Sequence, residues 1–223
     1  MTWAWGVTLP VTILNSPYSE AATNHSHFGT ALDIIGIVFF IIGLITESIS
    51  DIQKVRFRLS TPRDAPGRPF IQSGLFRYSR HPNYFGEILL WIGVYLLCLS
   101  PTDPVRGAQV ATIVSPLLTI WFLMFLSGLP LNEAPTARKR YDAAKKDGGE
   151  GYVEYKEYLE RTSILIPFSS RLYLRLPRWL KSTVFLEFPM YRFDPVKEGL
   201  AREEGLVREE GLVREEGLES QAE

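Results

Sequence analysis

The chain has 223 residues, one cysteine and a net charge of −1, and its mean hydropathy is close to zero. The average hides a partition, because apolar residues are bunched into runs and residues 197–223 hold nine acids against four bases, leaving +4 on the remainder. Cys98 alone excludes an intrachain disulfide, zinc-type Cys/His spacing is absent, and no G-x-G-x-x-G follows a strand pattern. Structural zinc and a Rossmann nucleotide site are therefore excluded.

Residues 1–14, MTWAWGVTLPVTIL, are apolar and uncharged. At 1.5 Å per residue they are too short for ~30 Å of hydrocarbon, so they predict a partial span. They carry neither the basic start nor the small-residue cleavage site of a signal peptide. Residues 15–28 form a loop with no Lys or Arg, in which Asn24-His25-Ser26 reads as a glycosylation sequon if the loop is lumenal.

The first full span is expected over residues 29–49, bracketed by Asp33 and Glu47, with Gly36 and Gly43 allowing a close helix approach. The helix continues as SDIQKVRFRL, and Glu47, Asp51 and Arg58 fall close to one face. Prolines and glycines then break the chain over residues 59–81. From Asp51 to Asn83 there are seven Lys/Arg against two Asp, a bias that marks the cytoplasmic side.

A second span is predicted over about 83–100. Its entry, GLFRYSRHPNYFGEILLW at 74–91, is the most informative stretch in the chain. Pro82 suits the first helical position. The helix N-terminus, with Arg77 and Arg80 beside it, is a ready anion site, and Asn83 and Glu87, four apart, share a face. A topology signal alone would need neither the Asn nor the Glu. The third span is expected over about 107–129, kinked at Pro116 unless neighbours satisfy the freed carbonyl. Residues 131–168 read as a cytoplasmic helical segment broken at Gly148-Gly149, with Tyr152, Tyr155 and Tyr158 on a packing face.

Residues 169–195 mix Arg171, Arg175, Arg178 and Lys181 with Leu, Trp179 and Phe185, which suits either a membrane interface or an irregular tail. From Gly199 the chain repeats GLAREE-GLVREE-GLVREE-GLES. A six-residue period spirals the leucines around a helix, so no coiled-coil seam forms. The repeated glycines cost a helix ~1 kcal/mol each, more than its i, i+4 pairs return.

YSRHPNYFGEILLWIG resembles the C-terminal signature of the steroid 5α-reductase-like membrane proteins, above all their uncharacterised bacterial and fungal branch. Sterol double-bond reductases and isoprenylcysteine carboxyl methyltransferases are more distant kin. The similarity runs from about Trp3 to about Phe168. It implies an all-α, polytopic membrane bundle with three full spans, an N-terminal partial span and cytoplasmic helices. The implied division is 1–168 for the membrane domain, lacking the family's upstream helices, then a basic segment 169–196 and a low-complexity tail 197–223.

The resemblance further implies an NADPH-dependent reductase of a C=C bond in a steroid-like or isoprenoid lipid, resident in the endoplasmic reticulum with its site on the cytoplasmic face. No nucleic-acid partner is expected. Carried over by motif, Asn83 and Glu87 would bind the nicotinamide carboxamide end, and Asp51, Arg58, Arg80 and Tyr84 the ribose and phosphates. Arg138 and Tyr141 would be the ligand-facing side of the basic helix that closes over the cofactor. The family's catalytic acid comes from helices upstream of this region and matches no residue here. Two other readings are an S-adenosylmethionine-dependent methyltransferase and a non-catalytic membrane fragment.

Overall fold

The computed structural model describes residues 6–16, 28–62, 69–99, 106–147 and 150–196; the sequon at Asn24 and the hexapeptide tail lie outside them. The helices are α1 (Leu9–Leu14), α2 (Ala31–Ser60), α3 (Pro82–Leu99), α4 (Arg106–Ala111), α5 (Val114–Trp121), α6 (Leu129–Asp147), α7 (Glu150–Arg161), α8 (Ser170–Arg175) and α9 (Arg178–Thr183). No strand occurs among the described residues. The molecule is an all-α bundle in which Ala31–Ser60, Pro82–Leu99 and Val114–Lys145 are long and apolar enough to cross a membrane.

Helix α2 starts at a reciprocal cap. Thr30 Oγ1 accepts from the Asp33 backbone N–H at 3.2 Å, and Asp33 Oδ2 accepts from the Thr30 N–H at 2.9 Å. Two of the orphan donors at the helix entry are thereby satisfied. At 30 residues the helix is roughly 45 Å long, about 15 Å more than a hydrocarbon core. Its last turns therefore project beyond the bilayer, as the continuation SDIQKVRFRL predicts. Ile34, Ile35, Val38, Ile41, Ile42 and Ile45 all face outward. An apolar stripe of this length turned away from the core suits lipid as its solvent.

The inward face of α2 meets α3 through glycine. A Cβ placed on Gly43 would lie 2.5 Å from the Leu90 amide nitrogen and 2.6 Å from the Gly86 carbonyl oxygen, and one on Gly86 would lie 2.7 Å from the Glu47 nitrogen. Gly36 and Gly93 repeat the contact two turns away. Backbone thus packs on backbone at both levels, as small-residue interfaces in membranes do. Gly86 and Gly93 complete the motif of which Gly36 and Gly43 are half.

The third span differs from a simple kinked helix. Its helical path begins at Val114, and α4 is separated from α5 by a turn at 112–113. The ring of Pro116 excludes the Thr112 carbonyl from its usual i+4 bond, and that oxygen accepts instead from the Ser115 N–H at 2.9 Å. Lower down, Phe122–Leu126 is a π turn, after which α6 continues the span. The partial span α1 closes this end of the bundle: Ser115 Oγ donates to the Val7 carbonyl at 2.6 Å, and buried Cys98 reaches the Pro10 carbonyl at 3.7 Å.

At the other end, residues 78–81 and 162–165 run side by side in parallel. Arg80 N–H donates to the Ser163 carbonyl at 2.8 Å, His81 N–H to Ile164 at 3.2 Å, and Ser79 Oγ to Leu165 at 2.7 Å. This pairing pins the loop that enters α3. The segment 169–196 then folds back over the same end. Tyr191 donates its hydroxyl to the Met124 carbonyl at 2.6 Å, and Tyr191 joins Ile88, Met124, Leu129, Ile164 and Leu165 in one core. The segment is therefore part of the packed fold and not an irregular tail.

Candidate functional site

The loop 78–81 delivers Arg80 and His81 to the head of α3. Arg80 is buried, and its guanidinium donates through Nε to the Thr162 carbonyl at 3.1 Å, through Nη1 to Glu133 of α6, and through Nη2 to Glu187 at 2.8 Å. Burial works against the charged guanidinium, but the Glu133 and Glu187 carboxylates outweigh it and hold its pKa above the usual arginine value. The second oxygen of Glu133 lies 2.6 Å from His81 Nε2. The second oxygen of Glu187 accepts the Tyr173 hydroxyl at 2.6 Å. A continuous polar chain thus runs His81, Glu133, Arg80, Glu187, Tyr173.

Local backbone strain aims Glu187. Leu186 has φ 59°, a left-handed conformation that costs a leucine on the order of 1–2 kcal/mol. It turns the chain so that the Glu187 N–H donates to the Lys181 carbonyl at 3.0 Å while the side chain enters the core. Burial together with the Glu187 hydrogen bond keeps the Tyr173 hydroxyl protonated, well above an ordinary tyrosine.

Beside this chain lies a cavity of about 190 Å³. Its cations are Lys54 and Arg58 from α2, Arg140 from α6, and the rim of Arg80. Its aromatic walls are Phe70, Phe76, Tyr84, Tyr155 and Tyr158. Lys54 Nζ stands 5.7 Å from the Phe76 ring centre and 5.6 Å from that of Tyr84, and Arg140 lies 5.0 Å from Phe70 and 4.7 Å from Tyr155. Such faces stabilise cations without neutralising them. The His81 ring stacks on Tyr84 at 5.0 Å, and Tyr84 Oη accepts from Asn132 Nδ2 at 2.9 Å. Burial pushes the Tyr155 hydroxyl up to about 12, so it stays neutral at any physiological pH.

Of the residues singled out in the sequence, Arg58, Arg80 and Tyr84 line this cavity. Asn83, Asp51 and Glu87 gather nearby, where α3 crosses α2. Glu87 is within electrostatic reach of Glu47 and Asp51, and Asn83 Oδ1 is a buried acceptor with no hydrogen-bond partner among the described residues. Arg138 and Tyr141 do not line the cavity. Tyr141 packs in an aromatic cluster with Tyr152 at 5.1 Å and Phe193 at 5.5 Å.

The cavity cation of that helix is Arg140, eight positions after Asn132 and seven after Glu133, which also line the cavity, hence on their face. That periodicity would have found it once Glu133 was suspected. Lys54 is likewise one turn before Arg58. Glu187 and Tyr173 carry no motif that marks them.

The family described as protein of unknown function (DUF1295) matches residues 1–162. The match contains Arg80 and Glu133 and ends before Tyr173 and Glu187. The chain is also similar to the uncharacterized protein C594.04c of Schizosaccharomyces pombe, at 33% identity over 90 residues, covering 34% of this chain and 26% of that protein. The chain therefore aligns with about a quarter of that relative. No solved structure matches.

Proposed function

The chain belongs to the DUF1295 family, which is associated with steroid 5α-reductase-like proteins, and on that footing we propose that it is an NADPH-dependent membrane oxidoreductase. Its reaction would be reduction of a C=C bond in a steroid-like or isoprenoid lipid. The observation that carries this reading is the convergence of Lys54, Arg58 and Arg140 on one aromatic-walled cavity beside the spans. Three cations on one cavity suit a ligand of several negative charges, and ring faces suit a nucleotide base.

The residues fit the cofactor at both ends. The orphaned Asn83 Oδ1 matches an N–H of the nicotinamide carboxamide, with Glu87 one turn on as a second acceptor. Arg58, Lys54 and Arg140 would hold phosphate oxygens, with Tyr84 beside them and Asp51 on a ribose hydroxyl. The cavity is smaller than the ~300–1,000 Å³ of whole-ligand pockets, so it would take the phosphate-bearing part. When bound, the cofactor supplies the hydride.

Arg80 has a different part in this proposal. Its donors are taken by two carboxylates and a carbonyl, so it organises the loop, α6 and the C-terminal segment around the cavity. The acceptor lipid would come from the bilayer that surrounds the outward face of α2. The excess of Lys/Arg on this side of the bundle supports a cytoplasmic site, in the endoplasmic reticulum if the family resemblance extends to location.

The test is a titration of the purified full chain with NADPH, NADH and S-adenosylmethionine, repeated for Asn83→Ala and Arg140→Met. NADPH should bind best, and each variant should weaken it roughly tenfold or more, the loss of one charge-assisted contact. Selective binding of S-adenosylmethionine, whose sulfonium needs no phosphate-binding arginines, would overturn the reading. So would binding of none of the three.

A further inference from the structure

Residues 169–191 have two unlike sides. The inner side is satisfied by the bundle: besides Tyr173 and Tyr191, Phe185 sits edge-on to Phe168 at 5.0 Å, and Lys181 turns inward to the Glu160 carbonyl at 3.1 Å. The outer side exposes Leu172 (52%), Leu174 (55%), Trp179 (66%) and Met190 (54%). Among them stand Arg171, Arg175 and Arg178, which are exposed and enter none of the ion pairs found among the described residues. From 169 to 181 there is no acid. Exposed Glu157 and Glu160 belong to the adjoining α7.

The position of this segment is set by the third span. Phe188 stacks on Phe125 at 5.9 Å, and Phe125 lies on the outward face of that span with Trp121 and Leu126. One turn later the span passes from the apolar run into the charge-rich α6. The segment is thus fastened at the depth where the apolar surface of the bundle ends. A large apolar surface interleaved with unpaired arginines at that depth matches the chemistry of a bilayer interface, where Trp anchors and Arg meets phosphate.

We propose that residues 169–191 form a strap seated on an anionic lipid leaflet, with Leu172, Leu174 and Trp179 in the interface and Arg171, Arg175 and Arg178 on lipid phosphates. The strap's inner side delivers Glu187 to Arg80, so leaflet contact and cavity architecture share one element. The inference is independent of which ligand the cavity takes.

The test places a nitroxide on Leu174→Cys in the full chain, leaving buried Cys98 in place, and reconstitutes it in nanodiscs of phosphatidylcholine with or without phosphatidylserine. Accessibility to oxygen should rise, and to a water-soluble nickel chelate fall, when phosphatidylserine is added. High salt should reverse the change. Replacing the exposed Arg171, Arg175 and Arg178 by Gln should weaken the response by roughly fivefold per arginine. A probe equally water-exposed in both lipids overturns the proposal, and one equally immersed in both overturns its anionic part. Spin–spin broadening that persists in detergent would show a second copy on this face and also overturn it.

Discussion

Replacing Arg80 by Met is the sharpest test of the buried polar chain. Met matches much of the arginine's apolar stem but leaves Glu133 and Glu187, both buried, without the guanidinium between them, Glu187 keeping only the half-exposed Arg192 at 3.8 Å. Each arm contributes on the order of a few kcal/mol of Coulomb attraction at an effective dielectric of ~20. Removing one partner of a buried pair costs ~3–5 kcal/mol because the remaining charge stays desolvated. His81 beside Glu133 and Tyr173 on Glu187 soften the loss, which places the expected cost at ~3 kcal/mol. For a chain of this size that corresponds to a Tm lowered by roughly 6–12 °C. The assay is thermal unfolding in detergent, run beside the triple variant Arg80→Met/Glu133→Gln/Glu187→Gln. The triple variant removes the stranded charges and should recover at least half of the loss. A single variant that costs under ~1 kcal/mol would refute the reasoning, as would a triple variant no better than the single.

Gly43→Val should destabilise α2 against α3 by ~3 kcal/mol or more, since a Cβ there already meets backbone at 2.5 Å and backbone cannot repack; loss of monodisperse protein on gel filtration or a lowered Tm checks it. The Tyr155 hydroxyl, pushed from 10 to about 12 by burial, favours the protonated form in the folded state, so its contribution is complete below pH 10 and is lost as pH rises from 10 to 12. Tyr155→Phe should therefore flatten alkaline unfolding by up to ~3 kcal/mol, measured as the pH dependence of Tm. Glu187→Gln keeps one acceptor oxygen for Arg80, turns an amide N–H donor toward the Tyr173 hydroxyl, and removes one negative charge beside the cavity. NADPH binding should tighten about fivefold, on the order of 1 kcal/mol, whereas weakened binding in a folded variant would make Arg80 a direct ligand held ready by Glu187.

The parts of the fold that depend on local chemistry were legible. Pro82 does open α3, the apolar runs do become spans, and Gly36 and Gly43 do face a neighbouring helix. What composition could not show was the partner: Gly86 and Gly93 belong to a different run, and only the crossing makes four glycines one interface. The third span was half legible, because Pro116 announces a disruption but not that the Thr112 carbonyl would turn to Ser115. At the site, RHPNY pointed to Arg80, but its two counter-charges lie 53 and 107 residues away. Each is an ordinary glutamate in its own stretch. Glu187 in particular sits in a segment whose basic residues dominate its reading, and its approach to Arg80 rests on a strained Leu186 that no propensity foretells.

The arrangement also explains why so basic a side of the bundle need not repel itself. Arg80 is the cation nearest the centre, and two carboxylates convert it from a ligand-seeking charge into a tie between the loop, α6 and the C-terminal strap. Lys54 and Arg140, a little farther out, are held by aromatic faces, which leave their charge intact for a ligand. Arg58 is exposed, where water screens it. Charge that would be costly in the interior is thus paired, and the cations that line the cavity are placed where either solvent or an anion can reach them. An anion entering the cavity would then meet a preformed cluster of cations whose geometry is fixed by the neutralised one behind them.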